Sequence, residues 1–397
     1  MKPLLLLFFA ILSPILSHCQ KDDSRIIFKD KSEYTSGADN VMFYINLLKD
    51  KNIAIVANNA SRIADKHLVD TLLLHNIDIK VIMTPEHGFR GTADAGEIVG
   101  NDIDPRTGIP IISLYGKNKK PSKEQLSNID LIVFDLQDVG VRFYTYISTL
   151  TYVMEAAAES NIPVLVLDRP NPNGFYIDGP ILESELRSFV GLHPVPIVYG
   201  MTIGEYGLMV NGEGWLNNGI QCKLTIAPMN SYERNAIYEV PIKPSPNLPN
   251  WESIYLYPTL CLFEGSIVSV GRGTETPFQI YGHPDMNGSH IFTPKAREGA
   301  SEPKLKNKVC HGVDLTETAH KYDILPTNIH LEWIIDTYNQ LHDKNFFTSY
   351  FNTLAGTKKL KQQIENKATE SEIRASWQDG IDSFKLIRSK YLLYDDF

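Results

Sequence analysis

The chain of 397 residues is 43% hydrophobic and 21% charged, an ordinary globular composition with length enough for two hydrophobic cores. Its formal net charge of −9, with no run of Lys and Arg, argues against nucleic acid as a partner, because phosphate backbones are held by dense positive charge. Cys19, Cys222, Cys261 and Cys310 show no Cys-x-x-Cys spacing. With Cys19 lipidated or removed, at most one disulfide remains, and buried structural thiols are expected.

Residues 1–19 read as a secretory signal. Lys2 is followed by an apolar stretch over 4–16, broken only by Ser13 and Pro14, and then by Ser17-His18-Cys19. The stretch is too short, and too soon followed by Lys21-Asp22-Asp23, for a membrane span. Leu16-Ser17-His18-Cys19 resembles a bacterial lipobox, which makes Cys19 a lipid-anchored first residue. His18 stands where a small residue is usual, so soluble periplasmic export is the rival. An exported protein is expected either way, touching membrane only through Cys19.

Beyond a polar tether over 20–40, five apolar runs each stop on a polar cluster. Residues 53–57 end on Asn58-Asn59, 79–83 on Thr84-Pro85-Glu86-His87-Gly88, and 109–114 on Tyr115. Residues 131–134 end on Asp135-Leu136-Gln137-Asp138, and 164–167 on Asp168-Arg169-Pro170-Asn171-Pro172. Continuous runs of this length suit strands buried on both faces, as in parallel sheets covered by helices. Between them, 65–75, 122–126 and the Ala-rich 146–160 read as helices, and Thr202-Ile203-Gly204-Glu205 is a capping box ahead of 206–210. A further strand is expected over 222–227. The alternation predicts an α/β fold with a doubly wound, mostly parallel sheet over 40–240. Residues 241–249, with four prolines, mark the boundary. A smaller α+β auxiliary domain over 250–397, with a strand at 266–270 and helices at 331–341, 357–366 and 370–380, is expected to close the cleft. Gly380 reads as a helix stop.

Polar residues at the carboxyl ends of parallel strands sit where open α/β sheets bind ligands. In Thr84-Pro85-Glu86-His87-Gly88-Phe89-Arg90-Gly91, proline ends pairing and aims Glu86 off the sheet edge. A carboxyl beside an aromatic ring can serve as a general acid; the structural alternative is a Glu that caps a turn or pairs with Arg90. A metal at Glu86 and His87 is disfavoured, since adjacent residues seldom ligate one ion and no His-x-His or His-x-x-x-His accompanies them. Gly271-Arg272-Gly273-Thr274-Glu275 fits no dinucleotide fingerprint but offers a guanidinium fork to a carboxylate, with Glu275 as a second acid. An Arg272–Glu275 structural pair is the alternative, as is an ion pair for Asp168-Arg169. Tyr144, Tyr146, Tyr199, Tyr255, Tyr257 and Tyr281 offer aromatic, hydroxylated faces for sugars, although most of the 19 tyrosines must pack. Serine, cysteine and lysine nucleophile signatures and a Walker loop are absent.

Together, Asn58-Asn59-Ala60-Ser61, the motif over 84–91, Ser113-Leu114-Tyr115-Gly116, 134–146, 167–174 and 270–277 resemble the YbbC/NamZ group of exo-β-N-acetylmuramidases, in the same order along nearly the whole mature chain. The resemblance implies a Rossmann-like domain plus an auxiliary domain with the cleft between them. It also implies release of terminal N-acetylmuramic acid from non-reducing ends of peptidoglycan fragments (muropeptides), with no cofactor and no metal. By position the family's proposed catalytic glutamate falls on Glu86; Glu275 as its partner is an inference from the pattern. Asn59, His87, Arg90, Tyr115, Asp135, Arg142, Tyr144, Arg272 and Tyr281 are the expected substrate contacts. The substrate's lactyl carboxylate calls for arginine, and its 2-acetamido group can act as internal nucleophile. The alternative function is a surface lipoprotein that captures muropeptides without cleaving them.

Overall fold

The computed structural model of the chain describes residues 27–29, 33–86, 88–89, 102–319 and 327–397. The expected signal over 1–19, and the motif residues His87, Arg90 and Gly91, lie outside them. Seven strands form the main sheet: β1 (Asn52–Ala57), β2 (Asp78–Thr84), β3 (Asp102–Ile103), β4 (Pro110–Ser113), β5 (Leu131–Asp135), β6 (Val164–Leu167) and β7 (Leu224–Ala227). Their spatial order is β7-β6-β5-β1-β2-β4-β3, parallel throughout except for the short edge strand β3, which runs antiparallel to β4.

The unbroken apolar runs follow from burial on both faces. On β1, β5 and β6 alternate side chains feed two separate cores, as the two-residue period of a strand requires. Ile53, Ile55, Val133 and Leu165 pack with Tyr44 and Leu48 of α1 (Val41–Leu48) and with Leu68 and Leu72 of α2 (Leu68–Leu74). Ala54, Val56, Ile132, Phe134 and Val166 face the other way, onto α3 (Tyr146–Glu159) and α4 (Ile203–Gly212). The chain leaves β1 toward β2 on one side and leaves β5 toward β6 on the other. That reversal opens a crevice beyond the carboxyl ends of the central strands.

The predicted capping box is present: the Thr202 hydroxyl accepts from the Glu205 N–H (3.2 Å) and the Glu205 carboxylate from the Thr202 N–H (2.9 Å). Residues 122–126 differ from expectation. Ser122 and Gln125 satisfy each other's backbone N–H groups, yet the stretch stays a turn, too short before the paired Asp130 to propagate a helix.

Beyond the proline-rich crossing, α5 (Trp251–Leu260) packs into the same core as α3 and α4. A smaller second domain carries an antiparallel sheet of β8 (Ile280–His283), β9 (His290–Phe292) and β10 (Cys310–Asp314). Around it lie α6 (Leu331–Leu341), α7 (Tyr350–Ala355), α8 (Lys359–Glu365) and α9 (Glu370–Arg388). Residues 266–270 make only isolated bridges, to Phe347 and Gly282. Gly380 does not stop α9, which runs on to Arg388. A Cβ there would lie 2.8 Å from Ile181 Cγ1, so the glycine serves close packing. Cys222, Cys261 and Cys310 are buried free thiols.

The tail after α9 returns to the first domain. The Tyr394 hydroxyl donates to Asp168 at the end of β6 (2.7 Å), and Arg388 donates to the Gly200 carbonyl (2.7 Å). Arg234 and Glu205 form a buried ion pair beneath the tail (2.6 Å), and Glu205 also accepts from the Leu393 N–H.

Past β5, the buried Asp138 accepts from the Tyr199 hydroxyl and from the Gly140 N–H (2.8 Å), and burial pushes its carboxyl up to about 6. The unfolded value is about 3.9, so the group stabilises the fold most below that pH and loses its contribution as pH rises through about 6. Asp138→Asn removes this dependence. In thermal melts, the difference in Tm between variant and parent should move in the variant's favour from pH 4 to pH 7; a constant difference would refute the assignment.

Candidate active site

Three segments that leave the sheet's carboxyl edge meet three from the second half of the chain around a cavity of about 220 Å³. From the sheet come Glu86 just past β2, Tyr115 just past β4, and Tyr144 to Tyr146 at the start of α3. The opposite wall carries Tyr257 of α5, Glu264 in the 3₁₀ turn Cys261–Gly265, Arg272, and Tyr350 and Leu354 of α7. Ser245, Asn247 and Leu248 of the proline-rich crossing also line it, with Phe189 and Val190.

Proline at 85 ends β2, so the chain turns at once and Glu86 stands half-buried on the cavity wall. Tyr115 lies beside it. Burial first, then the charge of Glu86 and a hydrogen bond with it, push the Tyr115 phenol up to about 12. The Tyr146 hydroxyl accepts from the Asn58 side-chain amide (2.8 Å) and donates to the Pro244 carbonyl (3.2 Å), which also receives the Tyr144 hydroxyl (2.8 Å). Burial raises the phenols of Tyr144, Tyr146, Tyr257 and Tyr350 as well, so these hydroxyls stay neutral.

Glu264 and Arg272 form a bidentate pair, Nε to Oε1 and Nη2 to Oε2 both at 2.8 Å. Burial works against the Glu264 charge. The Arg272 guanidinium, its hydrogen bonds and the Lys304 ammonium outweigh that and hold the carboxyl below its usual range. Lys304 also donates to the carbonyls of Phe263, Glu264 and Ser266, pinning the 3₁₀ turn that presents Glu264. Arg272 Nη1 makes no hydrogen bond to a described residue.

Of the residues singled out in the sequence, Glu86, Tyr115, Tyr144 and Arg272 come together here. Tyr146 and Tyr257, offered as aromatic faces, join them, while His87 and Arg90 lie outside the described residues and the remaining described candidates sit away from the cavity. Glu275 points outward and pairs with Arg297 (2.7 Å), away from the cavity and from Arg272; Glu264 makes the pair with Arg272 and lines the cavity instead. Asp135 is fully buried in a bidentate pair with Arg169 (2.5 and 2.8 Å), which also replaces the expected Asp168–Arg169 ion pair. Tyr281 is buried, stacked on Phe263 (4.9 Å between centroids). Asn59 sits in the turn after β1, its carbonyl accepting from Arg62, while its neighbour Asn58 reaches Tyr146.

Arg142 is fully buried and away from the cavity. Nη1 donates to the carbonyls of Pro180 (2.8 Å) and Val195 (2.7 Å), Nη2 to those of Leu354 (3.1 Å) and Ala355 (2.7 Å). Its four acceptors are all main chain and occupy both Nη groups; Nε finds no partner but is buried outside the cavity lining, so the fork does not face a substrate carboxylate. Glu264 and Tyr350 were missed by sequence reasoning. The available signal was an acidic residue in a short apolar turn one loop upstream of Arg272. Among the described residues, no group of three or more His, Cys, Asp and Glu side chains is placed to hold a metal.

An acid-bearing, tyrosine-lined cavity at the carboxyl edge of a doubly wound sheet suits a hydroxyl-rich ligand, and sequence comparison agrees with that class. Residues 53–252 match the family described as exo-beta-N-acetylmuramidase NamZ, N-terminal, and 255–394 match its C-terminal counterpart. The chain is 40% identical to the peptidoglycan beta-N-acetylmuramidase NamZ of Bacillus subtilis (strain 168), over 94% of each protein. Two crystal structures of DUF1343 family proteins from Bacteroides fragilis share the fold. One is 44% identical with a TM-score of 0.84, covering 92% of this chain and 99% of that one; the other is 27% identical with a TM-score of 0.79, covering 91% and 99%. The chain belongs to the NamZ family.

Replacing Arg142 strands the Pro180, Leu354 and Ala355 carbonyls, each costing about 1–3 kcal/mol, while Val195 still accepts from the Leu182 N–H (3.2 Å). Arg142→Met should therefore lower stability in urea unfolding by at least about 3 kcal/mol, or prevent folding. A variant of parental stability that had lost only ligand affinity would restore Arg142 as a ligand contact.

Proposed function

We propose that the protein is an exported exo-β-N-acetylmuramidase that releases terminal N-acetylmuramic acid from the non-reducing ends of peptidoglycan fragments, with Glu86 as general acid/base. The supporting observation is the convergence of Glu86 and the Glu264–Arg272 pair on one cavity, in a chain of the NamZ family. Glu86 donates its proton to the glycosidic oxygen as the bond to the anomeric carbon breaks. Positive charge then develops on the sugar ring. The ionised Glu264 supplies the balancing carboxylate, acting on the ring directly or by orienting the 2-acetamido group for attack. Water adds as Glu86 takes its proton back, which restores the starting state. Arg272 Nη1 is the described donor suited to the lactyl carboxylate. In this reading Cys19 carries the lipid anchor.

Glu86→Gln should cut kcat on a chromogenic N-acetylmuramic acid glycoside by on the order of 10²-fold or more. Near-normal turnover would remove Glu86 from the mechanism, and tight sugar binding by the parent without product release would make the protein a capture lipoprotein. Arg272→Gln takes away the charge that keeps Glu264 ionised, so the acid-side fall of kcat/KM should move to higher pH. An unmoved acid limb would mean that Glu264 ionisation does not matter for turnover.

A further inference from the structure

A second cavity, of about 610 Å³, neighbours the first across a pair of stacked rings. Phe189, in the lining of the catalytic cavity, lies parallel to Tyr152, in the lining of the second, with 6.0 Å between centroids and 9° between planes. The Lys119 ammonium sits 4.5 Å from the Phe189 ring centroid. Helix α3 links the two cavities: Thr145 and Tyr146 border the first, Thr151 and Tyr152 the second. At about 1.5 Å per residue these contacts lie roughly 9 Å apart along the helix, about the length of a disaccharide.

The second cavity is built from the groups that hold a sugar. Trp215 is half-buried, and its ring stacks on His193 (5.5 Å between centroids, 20° between planes). The His193 ring is buried and hydrogen-bonded through Nε2 to the Thr151 hydroxyl (3.0 Å). Burial pushes its pKa down to about 3, so the floor is a neutral aromatic surface. Glu155 accepts from the Asn217 N–H (2.9 Å) and from Lys120 (3.3 Å), fixing the turn that sets the Asn217 and Asn218 amides on the rim. Arg187 is exposed at the same rim. Aromatic faces take the apolar side of a pyranose, amides take its hydroxyl and acetamido groups, and a guanidinium takes a carboxylate.

We propose that this cavity is a distal saccharide subsite for the part of the glycan that stays behind after cleavage. The proposal rests on the exo-acting reading of the first cavity. With a terminal N-acetylmuramic acid beside Glu86, the chain passes over Phe189 and Tyr152, and the next N-acetylmuramic acid reaches Trp215. Its lactyl carboxylate then faces Arg187. One disaccharide repeat separates the two contacts, so the enzyme favours chains of at least three sugars over a disaccharide.

The test is calorimetric titration of the Glu86→Gln protein with the N-acetylmuramic acid–N-acetylglucosamine disaccharide and with the corresponding tetrasaccharide. The tetrasaccharide should bind about tenfold more tightly or better. Trp215→Ala and Arg187→Ala on that background should abolish the advantage while leaving disaccharide affinity within about twofold. Equal affinity for the two ligands, or an advantage that survives both substitutions, overturns the subsite. Arg187 is exposed, so its variant decides the matter should Trp215→Ala fail to fold. Turnover of the disaccharide by the parent enzyme reports separately on the catalytic reading, so failure of one is not mistaken for failure of the other.

Discussion

The buried guanidinium of Arg142 is the interaction on which the cavity's shape depends. Among the described residues no carboxylate accompanies it; two carbonyls from the first domain and two from the end of α7 surround it. The last carbonyls of a helix carry its negative partial charge, so the cation is partly compensated by the helix it holds. Desolvation still works against the charge. Gly356 follows α7 in the left-handed region (φ +73°), and a Cβ there would lie 2.4 Å from Arg142 Nη2. A side chain would therefore push out the fork that fixes α7. Since α7 carries Tyr350 and Leu354 to the cavity wall, one buried cation joins the auxiliary domain to the sheet edge bearing Glu86.

A second closure operates at the far end of the sheet. Asp168 accepts from the Thr202 hydroxyl and the Gly204 N–H (both 2.8 Å) as well as from Tyr394, so the end of β6, the cap of α4 and the C-terminal tail share one carboxylate. Beneath them Glu205 completes its capping box and pairs with Arg234. Buried ion pairs add little net stability, but removing one partner is costly, so such a cluster enforces a single arrangement of the elements it joins. The tail is thus held against the first domain, and the chain's two halves are tied at both ends.

The sheet was legible because burial on both faces leaves an unmistakable trace: apolar runs with polar residues only at their ends. Glu86 was legible for the same reason, since a proline between a buried strand and a carboxylate marks a strand exit. Asp135 and Arg142 show where that logic fails. Charge at a strand exit can face a ligand or knit loops together, and the choice depends on partners distant in sequence, Arg169 for one and the carbonyls of α7 for the other. Glu275 misled through proximity: it follows Arg272 in sequence, yet Arg272 folds back onto Glu264. Gly380 misled because a glycine needed for close packing on Ile181 reads locally like a helix stop.

The proline-rich crossing changes meaning in the same way. Its prolines prevent helix and strand, which from sequence alone marks a seam between domains. In the structure the segment is cavity wall: the Pro244 carbonyl receives both Tyr144 and Tyr146, while Ser245, Asn247 and Leu248 line the space. Asn247 in turn donates to the Gly299 carbonyl (2.7 Å), tying the crossing to the auxiliary domain. A seam that is part of the cavity wall cannot flex freely without breaking the hydroxyl network that orients the tyrosines. Rigid φ angles at the prolines lessen the ordering that binding would otherwise require. The cavity beside Glu86 is therefore largely preformed, its shape set by the fold before any ligand arrives.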